Sequence, residues 1–405
     1  LKLFIFNFFA GNPLSGWGER HFYLSRELVK MGYEVTIFSS ANNHMFNRKI
    51  DVESRYKLEV TDGVKFVWLK TMPYDPTSPK RFISMMKFAY DLWKMNFRDF
   101  GQPDAVYVSS MPIFSVIPGL RKARHWKVPL LFEIRDVWPL TPIMLGNVSK
   151  NNPMIRLIGY LERIAYRKAS AVISVLPNTK HHVVQRGGQP DKWFHLPNGV
   201  SPDLAEKVVP VPAILKDQIP ADRFIVMYTG TIGLANAMEY VVEAAHLLKE
   251  NSEIQFVFVG DGYKKQELQE LQSEYGIDNI TWIPKVAKNQ VHDLINQADV
   301  CLISWHDKPL YELGVSANKY FDYMLAGKPI LSAGNIPGDP VGEANCGVIA
   351  SAEDPKSIAD GILKLFNMKP DERDVLGANG RSYVMKNHTY SHLAKNLSDI
   401  LERTT

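Results

Sequence analysis

The chain has 405 residues, 45% of them hydrophobic and 22% charged, with a formal net charge of +4. That is too long for one ordinary core and sets an expectation of two domains in a soluble globular protein. So small a charge says nothing about nucleic acid, and no nucleic-acid partner is expected; no apolar run approaches membrane-span length.

Residues 3–9 form a run of strand length that is apolar at every position but Asn7, as in a parallel strand covered on both faces. The run follows a single Lys2 and lacks the small-residue cleavage pattern of a signal peptide, so it reads as the first buried strand. The loop Gly16-Trp17-Gly18-Glu19-Arg20-His21 comes next. Its glycines either let a ligand approach the backbone closely or simply make a turn. Residues 20–31 have apolar positions near helical spacing and stop at Gly32; Val35-Thr36-Ile37-Phe38 is the next strand. Strand, loop, helix, strand is the opening of a doubly wound sheet. Further strands are predicted at 64–69, 105–109, 130–134 and 171–175.

Residues 79–100 interleave five basic residues, Lys80, Arg81, Lys87, Lys94 and Arg98, with Phe82, Met85, Met86, Phe88, Trp93, Met95, Phe97 and Phe100. A basic helix rich in aromatics either lies at a membrane interface or fills a core from one side. Glu133-Ile134-Arg135-Asp136-Val137-Trp138-Pro139 closes a strand at the edge where open α/β sheets bind ligands. Its charges are either used there or paired with each other.

The pattern restarts after Pro197-Asn198-Gly199. Residues 200–222 carry four prolines and read as a hinge. Strands are predicted at 224–228, 254–259, 280–283, 300–303 and 329–332, with a helix over 238–250. Gly230-Thr231-Ile232-Gly233 and Gly260-Asp261-Gly262 each follow a strand. The first lacks the spacing of a dinucleotide fingerprint, which argues against a nicotinamide enzyme, and either loop could be no more than a turn. Lys264 and Lys265 follow the second loop and could reach a diphosphate. Cys301 and Cys346 lie in apolar surroundings and read as buried structural thiols in a reducing compartment.

The segment from Val315 to Pro329 is the most specific. Val315, Ser316 and Asn318 open a helix whose positive end favours a phosphate, with Ser316 a candidate N-cap. Asp322, one turn in, can accept hydrogen bonds from ligand hydroxyls, and Lys319 supplies charge. Phosphate together with polyhydroxyl describes a nucleotide-sugar. His21 and His181-His182 have no partners at metal-ligand spacing, so no metal site is expected. The last helix, predicted over 390–402, carries Leu393, Leu397, Ile400 and Leu401 on one face and needs a surface to pack on.

These motifs keep the order found in one family. The chain resembles a retaining glycosyltransferase of family 4 with the GT-B fold, on the strength of the loop at Gly16, residues 132–139, Leu196-Pro197-Asn198-Gly199-Val200, Tyr228 to Leu234, Val259 to Gly262 and Asn318 to Pro329. The resemblance implies an α/β fold of two Rossmann-like, doubly wound domains facing a central cleft. Residues 1–198 with a returning helix at about 387–405 would bind the acceptor, and 199–386 the nucleotide-sugar. Donor-binding residues would be Gly16, Gly18, Gly230, Gly233, Lys265, Ile283, Val315, Ser316, Asn318 and Asp322. Glu19, Arg20 and His21 would lie on the acceptor side, and Glu133, Arg135, Asp136 and Lys319 would be catalytic.

The second carboxylate of the family's Glu-x7-Glu motif falls on Asp322, as ribose ligand. The first falls on Gly314, with Glu312 two residues away. The basic pair that many members carry after the Gly230 strand is absent, and the usual N-terminal histidine is replaced around Arg135 and Asp136. The Asn-Lys-x-Phe-Asp-Tyr-Met form is similar to bacterial O-antigen, capsule and exopolysaccharide transferases. It implies a UDP-linked, N-acetylated donor sugar, no other cofactor and a saccharide or lipid-linked saccharide acceptor. The place of action would be the cytoplasm, with peripheral contact to the inner membrane face through 79–100. The alternatives are a nucleotide-sugar epimerase of the same architecture and a non-catalytic sugar-nucleotide-binding protein.

Overall fold

Continuous apolar runs become interior parallel strands because both faces of such strands are covered. The computed structural model describes residues 1–75 and 78–405 and divides them into two compact units, Leu1–Asn198 with Tyr390–Thr405 and Gly199–Thr389. The proline-rich stretch 200–222, expected as a hinge, lies wholly inside the second unit.

The first unit holds strands β1 (Lys2–Phe6), β2 (Glu34–Ser40), β3 (Tyr56–Thr61), β4 (Val64–Leu69), β5 (Ala105–Ser109), β6 (Leu130–Ile134), β7 (Ala171–Ser174) and β8 (Trp193–His195). They form an eight-stranded sheet in the order β3-β4-β2-β1-β5-β6-β7-β8, parallel except for the β3–β4 pair. The helix Arg20–Lys30 covers one face through Phe22, Leu24 and Leu28. The C-terminal helix Tyr390–Thr404 returns to this same unit. Its Leu393, Leu397, Ile400 and Leu401 join the core built on Ile5, Ile37 and Phe66. Tyr390 stacks on Tyr23 at 5.1 Å between ring centroids, and the Tyr33 and Ser398 hydroxyls are 2.7 Å apart.

The second unit holds β9 (Phe224–Thr229), β10 (Ile254–Val259), β11 (Ile280–Ile283), β12 (Val300–Ser304), β13 (Ile330–Ala333) and β14 (Gly347–Ala350). They make a parallel six-stranded sheet in the order β11-β10-β9-β12-β13-β14. The order reverses between β9 and β12. A crevice opens at the carboxyl ends of the two strands flanking such a reversal, and this is where ligands bind in open α/β sheets.

Candidate active site

At the second unit's reversal, Lys319 reaches the end of β9. Its ammonium donates to the Tyr228 hydroxyl at 3.0 Å and to Asn236 Oδ1 at 2.8 Å, and lies 4.3 Å from the centre of the Tyr228 ring. Tyr228 in turn donates to the Thr231 carbonyl at 2.6 Å. Among the described residues no carboxylate pairs with Lys319. Burial pushes its ammonium down from 10.5 to about 7. The lysine is thus held by neutral groups, and no described carboxylate cancels its charge when it is protonated.

Lys319 belongs to the helix Asn318–Leu325. The N-cap is Ala317, not Ser316; Ser316 is buried one position earlier, behind the buried Val315. Ala317 makes no side-chain capping bond and the first turn has no acidic residue, so neither opposes a negative ligand at the positive end of this helix. Asn318 at its start is exposed. One turn on, Asp322 is buried to 7% exposure. Burial alone would raise its carboxyl. Lys288 Nζ, which donates to Oδ2, and the nearby His292 outweigh that and bring it down to about 2. His292 Nε2 is 3.8 Å from Oδ1, beyond hydrogen-bond reach. Sequence reasoning missed Lys288 and His292, which come from a separate loop and helix.

The two glycine loops have a structural explanation. A Cβ on Gly260 would lie 1.9 Å from the Gly230 carbonyl oxygen, and one on Gly262 2.0 Å from that of Ile232. The Gly230 amide donates to Val259, and the Gly260 amide to the carbonyl of the buried Ile283, both at 2.9 Å. The loops after β9, β10 and β11 are thereby laced together, and Ile283 is a packing residue. Gly230 is itself exposed, with Lys319 Nζ 3.6 Å from where its Cβ would be, and Gly233 is half-buried. Lys265 was expected to face a diphosphate. Its ammonium instead donates to the Gly260 carbonyl at 3.0 Å and to Asp261 at 2.9 Å, so its charge is already matched.

In the first unit, Glu133 at the end of β6 is fully buried. Its Oε1 accepts from Arg20 Nε at 2.9 Å, and Oε2 is 2.8 Å from His21 Nε2. Arg20 also donates to the Leu196 and Pro197 carbonyls at 2.8 and 2.5 Å. Asn7 Nδ2 lies 2.9 Å from His21 Nδ1. Burial alone would raise the Glu133 carboxyl; His21 and then Arg20 outweigh that and hold it well below its usual range, while burial lowers the His21 imidazole itself. This is a closed structural cluster that ties the first helix to β6 and to the chain after β8. Glu133, expected to be catalytic, and Arg20 and His21, expected on the acceptor side, are all buried within it.

Glu19 and Gly16 stay half-buried in the preceding loop. There a Cβ on Gly18 would lie 2.1 Å from the Phe9 carbonyl oxygen, so this glycine, too, answers a backbone approach. Past β6, Asp136 and Arg135 are half-buried at the carboxyl edge. Asp136 accepts from Thr141 through Oδ1 and from Trp138 Nε1 at 3.0 Å through Oδ2; burial nonetheless raises its carboxyl. The Arg135 amide donates to Ser110 Oγ at 3.0 Å. Among the described residues no three His, Cys, Asp or Glu side chains converge to hold a metal, and no helix is long and apolar enough to cross a membrane.

Two family models match this chain: Glycosyltransferase Family 4 over residues 16–204 and Glycosyl transferases group 1 over residues 214–383. WcaI of Escherichia coli K12, named for colanic acid biosynthesis, is 20% identical over 312 residues, covering 75% of this chain and 76% of that protein. The alpha-D-kanosaminyltransferase of Streptomyces kanamyceticus is 22% identical over 60% of this chain and 62% of its own. Among solved structures, sucrose-phosphate synthase of Thermosynechococcus elongatus superposes with a TM-score of 0.75 at 17% identity, covering 99% of this chain and 98% of that one. HepE of Anabaena, solved with UDP and glucose, gives a TM-score of 0.68 at 14% identity, with both chains fully covered.

Proposed function

The chain belongs to glycosyltransferase family 4, with the GT-B fold, and on that premise we propose that it moves a sugar from a UDP-linked donor to an acceptor hydroxyl with retention. The second unit binds the donor. The observation that carries this reading is the uncancelled Lys319 ammonium beside the uncapped helix Asn318–Leu325 at the sheet's reversal. As the bond from the anomeric carbon to the diphosphate breaks, negative charge grows on the leaving group. A preorganised cation and helix N-terminus stabilise that charge without needing a metal. Asp322 holds the ribose hydroxyls by exchanging part of its contact with Lys288.

The first unit binds the acceptor, with Asp136 and Arg135 at its carboxyl edge orienting the attacking hydroxyl. The name of WcaI, a colanic acid biosynthesis glycosyl transferase, supports a role in polysaccharide assembly; the donor sugar in this reading is an N-acetylated hexose and the acceptor a lipid-linked saccharide. The helix Lys80–Lys94 would give loose contact with the inner membrane face.

The test is a thermal-shift and calorimetry panel of nucleotide-sugars. A UDP-sugar should stabilise the protein selectively, with EDTA making no difference. Asp322→Ala should weaken that binding by about 1.5–3 kcal/mol while keeping a cooperative melt. Unchanged affinity in a folded D322A variant removes the ribose role. Turnover that EDTA abolishes and magnesium restores removes the metal-free account. Binding without transfer to any saccharide returns the chain to a sugar-nucleotide-binding role.

A further inference from the structure

Arg81 stands in the first turn of the helix Lys80–Lys94, where a cation opposes the helix dipole. No acidic residue lies in that turn, and the N-cap residue Pro79 makes no side-chain hydrogen bond. The guanidinium carbon lies 5.6 Å from the centre of the Phe9 ring. Its Nε is buried and has no hydrogen-bond partner. Among the described residues no carboxylate pairs with this arginine. A buried, unsatisfied donor on a charged group is costly unless a partner arrives.

Two neutral hydrogen-bonding groups stand with it. His44 packs edge-on to Phe9 at 6.3 Å and to Tyr74 at 5.4 Å, with Nδ1 3.1 Å from the Tyr74 hydroxyl. Burial and then Arg81 push the His44 imidazole down, and burial lifts the Tyr74 phenol to about 12. Phe9, His44 and Tyr74 follow the carboxyl ends of β1, β2 and β4, the sheet edge at which ligands bind.

We propose that Arg81, with Tyr74 and His44, receives a phosphoryl group carried by the acceptor. The proposal rests on the reading that the first unit binds the acceptor. A guanidinium presents a planar fork that matches two oxygens of an oxyanion. The Tyr74–His44 pair, joined by its own hydrogen bond, keeps one further donor for a third oxygen, which a phosphoryl group has and a carboxylate lacks. Among the described residues no carboxylate lies in this group of side chains to repel such a ligand.

The test uses the full chain with inorganic phosphate as probe, titrated against chloride at matched ionic strength. Phosphate should raise the melting temperature of the wild type, and Arg81→Gln should weaken the apparent affinity about tenfold or more. Arg81→Lys, which keeps the charge but not the fork, should fall between them and covers the case in which R81Q gives no cooperative melt. Identical phosphate responses in wild type and R81K, or none in the wild type, overturn the proposal. A hexose 6-phosphate and a short prenyl diphosphate are then run as competitors. Displacement by either supports a phosphorylated acceptor and tells a soluble sugar phosphate from a lipid diphosphate; displacement by neither overturns it. The response of the wild type to UDP, measured alongside, reports on the donor reading independently.

Discussion

Lys319 couples protonation to function. Its folded value of about 7 lies below its ordinary 10.5 because burial penalises the ammonium. Below pH 7 the folded protein carries that penalty in full. Between about 7 and 10.5 the unfolded chain holds a proton that the folded chain has released, so stability rises with pH through that window. Lys319→Met should abolish this rise, and parallel stability curves for wild type and K319M would contradict the assignment. A bound diphosphate restores the charged form, because an opposite charge nearby favours it. UDP binding just above neutral pH should therefore take up protons, approaching one per site. Calorimetry in buffers of different ionisation enthalpy reads this uptake, and a buffer-independent enthalpy would leave Lys319 out of the diphosphate site.

At the scale of elements, the helix Lys80–Lys94 has two apolar faces. Ser84, Met85, Phe88, Ala89 and Leu92 are buried against the first unit, while Ile83, Met86, Tyr90 and Trp93 form an exposed stripe at helical spacing. The buried face bears out the core reading of this segment; the exposed stripe is the surface that a membrane reading would use. Lys87 is tied to Asp91 at 2.5 Å, but Lys94 lies beside Tyr90 and Arg121 stacks on Trp93 at 4.0 Å. An anionic bilayer would meet apolar area edged by these cations, each contributing about 1 kcal/mol near the surface. Sedimentation with anionic liposomes should fall as salt shortens the Debye length below about 8 Å. It should also fall in a variant combining Lys94→Gln with Arg121→Gln. Equal, salt-insensitive partitioning of both proteins would leave the stripe without a membrane role.

Interior strands such as β9 and β10 were legible as apolar runs because they are buried on both faces. The edge strand β3 was not, because Leu58 and Val60 point to solvent while Glu59 turns toward Asn12 at 2.8 Å. The placing of Asp322 one turn into a helix was legible from its local motif. Its partner Lys288 lies 34 residues away, and only the fold brings them together. The Glu133 cluster carried the residue types of an active site, yet burial over β6 made it a fastening.

At the scale of the whole molecule, the chain's last segment belongs to its first unit. Leu393, Leu397, Ile400 and Leu401 are buried there, a gross gain of about 6–12 kcal/mol at about 1.5–3 kcal/mol per side chain. That is comparable to the entire net stability of a typical domain, about 5–15 kcal/mol. Removing residues 390–405 would also uncover Tyr23 and leave the Tyr33 hydroxyl without Ser398. The loss should therefore fall on a unit whose other residues lie nearly two hundred positions upstream. Hydrogen exchange of the shortened chain should show β1, β2 and β4 losing protection, while β9, β10 and β12 keep theirs, because the second unit's core draws no residue from 390–405. Uniform loss across both sheets would mean that the two cores do not fail separately. Retained protection in β1 and β2 would mean that the returning helix is dispensable to the core it covers.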